Sequence, residues 1–287
     1  MVTRPFVQKL ISVKDSLRPK QWIKNLLVFA APIAGANLGS HIFSLTLTFV
    51  IFCFASSIGY IFNDWTDRNS DALNPKKKDR PFASRSLGQR SAVLISSLLF
   101  LGLIILLTIA GSPSLIGLIL SYLIITISYS KWLKEIPVVE IIVVAGCFVI
   151  RSLAGGLTGH SALSQWFFAV IAFGAVLIVS AKRLAELLQG SGSRGVLKDY
   201  SETFLRSIMT IGASGALFGF SLWTFNVEQN SVYAQISFVP FIIFILRLFW
   251  VLDKGETHRS ENFPIQDPVI RIALILLVFS LFVTVYG

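Results

Sequence analysis

Long apolar runs separated by short charge-bearing segments dominate this chain, and the runs are long enough to cross a bilayer. A membrane-spanning helix needs about 20 mostly apolar residues. Nine such runs are read at 22–38, 42–63, 91–110, 114–130, 137–157, 164–184, 204–226, 232–252 and 268–286. The first is the weakest, because Trp22, Lys24 and Asn25 open it. Gly111-Ser112-Pro113 predicts a tight turn between two spans. The expected fold class is all-α, an integral membrane bundle of nine transmembrane helices. It forms one domain over residues 1–287, with 1–20 as an interfacial lead-in and 64–90 and 185–203 as polar, site-bearing loops.

Charge orients the bundle. Lys and Arg fall in the N-terminal segment, in 64–90, in 131–136, in 182–206 and around 247–271. The alternate connections at 38–42, 111–113, 157–163 and 226–231 carry none, and Arg151 alone lies deep within a span. Basic loops stay on the cytoplasmic side, so this segregation predicts N-in, C-out. Glu228 is the one acidic residue placed outside. The chemistry is therefore expected on the cytoplasmic face of the cell membrane.

Composition narrows the class further. The chain is 54% hydrophobic and 14% charged, against about 25% charged in soluble domains. Mean hydropathy is +0.73. Residues 1–25 carry six Lys or Arg and no small-residue cleavage pattern follows, so no secretory signal peptide is read. Cys53 and Cys147 lie in apolar runs and read as buried thiols. The net charge of +10 reads as attraction to anionic membrane lipid rather than to nucleic acid. Homo-oligomers are compatible with such a chain, but no interface is legible.

The candidate chemistry starts at Asn63-Asp64-Trp65-Thr66-Asp67-Arg68-Asn69-Ser70-Asp71. Spacings of three and four put Asp64, Asp67 and Asp71 on one helix face. Like charges that close repel unless something positive lies between them. A hard cation such as Mg2+, shared with substrate phosphates, fits that role. Arg80, bracketed by Asp79 and Pro81, suits a bidentate phosphate clamp, whereas Lys76 to Lys78 read as ordinary membrane anchors. Lys24 and Asn25 open a span, where polarity is costly without a function. For Arg18 and Lys20, surface anchoring and phosphate binding weigh evenly, and Trp22 is expected at headgroup level. Lys182 and Glu186 form an i,i+4 pair beside Arg183, and Glu186 with Asp199 offers a second cation site. Glu140 and Arg151 sit in an apolar span and need partners. Arg151 is read as structural or cavity-lining, with Gly155-Gly156 marking close helix packing. His41, His160 and His258 show no ligand spacing.

The pattern N-D-x-x-D-x-x-x-D after the second long span, followed by D-R-P-F-A-S, resembles the UbiA superfamily of intramembrane prenyltransferases. That resemblance implies a helical bundle around a central cavity open to lipid at the side. It also implies Mg2+, with Mn2+ as a substitute, binding a diphosphate at the acidic motifs. The stretch Arg18 to Asn25, Tyr129-Ser-x-x-Leu-Lys134, Gly146 to Gly156, Lys182-Arg183-x-x-Glu186 and Asp199-Tyr200 is similar to the decaprenyl-phosphate phosphoribosyltransferase branch. That branch joins 5-phosphoribosyl 1-diphosphate (PRPP) to a polyprenyl phosphate, and its product feeds arabinan synthesis. The usual second D-x-x-x-D is absent, Glu140 stands where Asp is expected, and Arg85 stands where Gly is expected.

By that resemblance Asp64, Asp67 and Asp71 act on the metal with Asp199, and Lys24 is catalytic. Asn25, Asn63, Arg80, Tyr129, Lys134, Lys182, Arg183, Glu186 and Tyr200 bind PRPP or its phosphates. Two rival readings remain. One is a UbiA-type enzyme using a polyprenyl diphosphate and an aromatic acceptor. The other is a non-catalytic lipid transporter, which needs polarity through the whole membrane depth rather than at one face.

Overall fold

The computed structural model describes residues 3–35, 37–161, 164–188, 195–226, 231–254 and 267–286 of the 287. Among them every regular element is helical. An amphipathic helix α1 (Thr3–Leu17) leads into a 3-10 segment (Pro19–Phe29) and a short α2 (Ala30–Ala34). Then follow α3 (Ile42–Thr66), α4 (Arg68–Ala72), α5 (Gln89–Ala110), α6 (Pro113–Lys131), a 3-10 turn (Leu133–Glu135), α7 (Val139–Thr158) and α8 (Gln165–Leu188). A second 3-10 turn (Gly195–Asp199), α9 (Glu202–Asn226), α10 (Ser231–Asp253) and α11 (Pro268–Tyr286) complete the chain. Of the expected features, residues 189–194, Glu228 and His258 lie outside the described residues.

Eight of these helices, α3 and α5 to α11, are long and apolar enough to cross a membrane. They match eight of the nine expected runs. The first run, 22–38, differs. Its residues form the 3-10 segment and α2 rather than one α-helix. Pro32 interrupts the run, and Gly35 closes α2. A 3-10 helix rises about 2.0 Å per residue, so the two pieces together extend about 30 Å, close to the hydrocarbon thickness.

Local signals account for the joints. Ser112 caps α6 by accepting the Leu115 N–H at 3.3 Å, Pro113 opens that helix, and Gly111 closes α5 at φ 61°. Arg85 has φ 61°, which explains why glycine suits that position. Arg18 also lies in the left-handed region, at φ 51°. It turns the chain sharply between α1 and the 3-10 segment.

Two apolar cores flank a seam. One gathers the 3-10 segment, α3, α5 and α6, and the other gathers α8 to α11. Helix α7 contributes to both: Ile141 joins the second core, and Cys147 and Ala154 join the first. A smaller core of Ile61, Phe82, Leu87 and Ala92 seats the 73–88 segment against α1. At the seam, Gly155 lies directly on the Val28 backbone and Gly159 on the Pro32 ring. A methyl group at 155 would overlap the Val28 carbonyl. Gly155→Ala is therefore expected to lower stability by about 3 kcal/mol or more, read as a clear fall in melting temperature in detergent. An unchanged melting temperature would mean the 3-10 segment does not pack there.

A charged end of the helix bundle

The polar side chains collect at one end of the bundle. Ion pairs tie the ends of neighbouring elements together: Lys134 to Asp67, Arg183 to Glu140, Arg206 to Asp253 and Arg247 to Asp267. Arg247 and the first turn of α11 hold the Asp267 carboxyl below the usual carboxylate range.

The acidic motif is not one continuous helix face. Asp64 belongs to α3, Asp67 is the joint, and Asp71 belongs to α4. Asp64 and Asp71 are nonetheless both buried and face the same cation. Arg80 Nη1 lies 3.2 Å from Asp64 Oδ1 and 2.6 Å from Asp71 Oδ2. Arg18 grips Asp64 with a fork, Nε to Oδ2 at 3.0 Å and Nη2 to Oδ1 at 2.5 Å. Lys77 stands 3.6 Å from Asp71. Lys134 reaches Asp67 from the turn after α6. The loop that delivers Arg80 is built by Asn74, whose Oδ1 accepts the Lys76 N–H at 3.0 Å and whose carbonyl accepts Lys77 and Lys78.

Two carboxylate oxygens from different helices thus meet at a single positive centre. That is the donor set a small hard cation uses, one or two carboxylates completed by substrate phosphate oxygens. Among the described residues no group of three His, Cys, Asp or Glu gathers around one point. The expected four-carboxylate set is therefore not assembled: Asp67 is engaged with Lys134, and Asp199 is exposed. Asp64 and Asp71 fit a divalent cation, with Arg80 standing at its place.

A second cluster sits where α6, α7, α8 and the 195–200 segment meet. Glu140, fully buried, receives Arg183 Nε at 2.7 Å. Arg183 Nη1 reaches Glu186 at 3.1 Å and Nη2 reaches the Tyr129 hydroxyl at 3.3 Å. The Tyr200 hydroxyl accepts the Val138 N–H at 2.7 Å. Burial pushes the Tyr200 phenol above its ordinary pKa, and the neighbouring Glu140 carboxylate acts in the same direction. Glu186 pairs here with Arg183, while Lys182 lies exposed at the surface.

Other expectations shift. Asn25 is fully buried and does not line the charged mouth. Its Oδ1 accepts Arg151 Nε at 2.7 Å, and its amide faces Cys53 and Ser56. Arg151 also donates to the Cys147 carbonyl at 2.6 Å and the Tyr122 hydroxyl at 2.8 Å. Its role is to brace α7 against α6 and the 3-10 segment. Trp22 is not a free headgroup anchor, since its indole donates to Ser57 at 3.1 Å. Lys24 and Asn63 are half-buried. Sequence reasoning undervalued Arg18 and Lys77, which only the folded loops bring to the acids. His41 and His160, which show no ligand spacing in the sequence, meet with tilted rings whose centroids are 4.8 Å apart, before α3 and after α7.

The chain resembles known proteins over nearly its whole length. Residues 26–275 match the family described as the UbiA prenyltransferase family. The decaprenyl-phosphate phosphoribosyltransferase of Corynebacterium glutamicum is 36% identical, over 94% of this chain and 86% of that protein. The protein of the same name from Mycobacterium tuberculosis is 32% identical, over 95% and 93%. A UbiA homologue from Archaeoglobus fulgidus, solved with GPP and Mg2+, superposes with TM-score 0.72 at 17% identity, over 96% of this chain and all of that one.

Proposed function

The chain belongs to the UbiA prenyltransferase family, and on that premise we propose that it transfers the 5-phosphoribosyl group of PRPP to a polyprenyl phosphate, releasing diphosphate. What carries the reading is near full-length likeness to proteins named for that reaction. The geometry supports it: basic side chains surround two converging carboxylates at one polar end of the bundle. With the 3-10 segment as a ninth crossing, the basic loops share one side, which we take as cytoplasmic. There the soluble sugar enters, and the lipid phosphate arrives from the bilayer.

Asp64 and Asp71 would hold a divalent cation between them once the Arg80 guanidinium turns to the donor's diphosphate. Mg2+ held by these two carboxylates would supply Lewis-acid stabilisation to the departing diphosphate. Arg18, Arg80, Lys77 and Lys134 then turn from carboxylates to phosphate oxygens, adding charge-assisted hydrogen bonds where negative charge develops. Lys24 is expected to add a further cation for the donor's phosphates. The lipid phosphate is already anionic, so the attack on the anomeric carbon needs no general base. This suits a site without a histidine among its described residues. In-line attack inverts the anomeric centre. Mn2+ has the same hard-oxygen preference and is expected to substitute for Mg2+.

The test uses protein in liposomes with ribose-labelled PRPP and polyprenyl phosphate. Label is expected to enter the organic phase with Mg2+ present and to stay in water after chelation. No labelled lipid under either condition would contradict the reading.

A further inference from the structure

The link between the two charged clusters is a strained turn. Val138, at the start of α7, has φ 66° and ψ −48°, and the Val139 N–H closes back on the Pro137 carbonyl at 2.7 Å. That is a γ-turn of the rare, strained hand. A β-branched residue at positive φ is an outlier held only by its surroundings. The turn lies between Lys134, which engages Asp67, and Glu140, which engages Arg183. Its one partner from a distant element among the described contacts is the Tyr200 hydroxyl, which accepts the Val138 N–H. The Tyr200 ring is buried and stacks on Phe204 with centroids 5.8 Å apart, so the hydroxyl is firmly placed.

We infer that Tyr200 is a positioning residue, which holds the strained Val138 turn and so sets Lys134 and Glu140 in register at the site. This rests on the reaction proposed above for its catalytic consequence, but not for the contact itself. It replaces a direct role of Tyr200 on PRPP. The energetic logic is local: losing this hydrogen bond removes the one distant contact that holds a turn already strained. Once released, the turn swings Lys134 away from Asp67.

Two variants separate the possibilities. Tyr200→Phe keeps the ring and removes only the oxygen. Val138→Gly lets the turn adopt positive φ without strain. Hydrogen exchange on the purified protein, without substrate, is expected to accelerate in residues 132–142 of Tyr200→Phe. Exchange equal to the unmodified protein would overturn the latch, whatever the substrate proves to be. In the transfer assay Tyr200→Phe is expected to lose about tenfold in kcat/KM for PRPP. Adding Val138→Gly is expected to restore most of that loss. A loss that Val138→Gly leaves untouched would mean that the hydroxyl acts through Glu140 or on the substrate instead, and would sink the inference. If the unmodified protein transfers no phosphoribose, the reaction fails and the exchange result still decides the latch.

Discussion

Asp64→Asn is expected to lower kcat/KM for phosphoribosyl transfer about a thousandfold or more, while the protein stays folded and inserted. Asp64 is the carboxylate on which the basic residues converge, forked by Arg18 and shared with Arg80. Asparagine keeps the shape and one acceptor oxygen but removes the charge. The carboxylate that would hold the cation, and so stabilise the leaving diphosphate, is then gone. Losing one such preorganised charge costs two to three orders of magnitude or more. Folding should survive, because the two guanidiniums released are 23% and 27% exposed and can turn to water. Purified variant with an unchanged melting temperature and no turnover is the expected result. Near-normal turnover would remove Asp64 from the chemistry. Asp71→Asn should behave in the same way, since Asp71 shares the Arg80 nitrogen.

Arg183→Met is expected to cost about 3–5 kcal/mol of stability, and most activity with it. Glu140 is fully buried, and Arg183 is its charged partner at 2.7 Å. Methionine fills much of the volume but leaves that carboxylate uncompensated. The double variant Arg183→Met with Glu140→Leu should recover most of the stability, because replacing both members of a buried pair is close to neutral. Arg183→Lys should not rescue fully, since one ammonium cannot reproduce a fork that reaches Glu140, Glu186 and Tyr129. Melting curves in detergent decide it. A single variant as stable as the unmodified protein would show that Glu140 does not depend on Arg183 for its compensation.

The sequence reveals the parts of this molecule that depend on local pattern. Hydropathy finds eight spans because each is long and apolar throughout. It misreads 22–38, where apolar content is right but a proline and early polar residues favour a 3-10 segment and a short helix. The acidic motif is visible as spacing. Its convergence on Arg80 is not, because the chain bends at Asp67 and a folded loop returns Arg80 to both acids. Periodicity shows that Glu140 and Arg151 each need a partner. It cannot show that Glu140 turns to Arg183 on α8, while Arg151 turns to Asn25 and Tyr122. Those choices are set by which helices pack together, and α7 faces a different neighbour on each side. The Val138 turn has even less signal, since valine is among the residues least suited to positive φ.

The central claim is that the diphosphate rides on the sugar and not on the lipid. The most direct measurement offers purified protein two donor pairs with Mg2+: PRPP labelled in its diphosphate with polyprenyl phosphate, and labelled polyprenyl diphosphate with an aromatic acid. Labelled diphosphate is expected from the first pair alone, with one phosphoribosylated lipid formed per diphosphate released. Release from the second pair, with none from the first, would contradict the account.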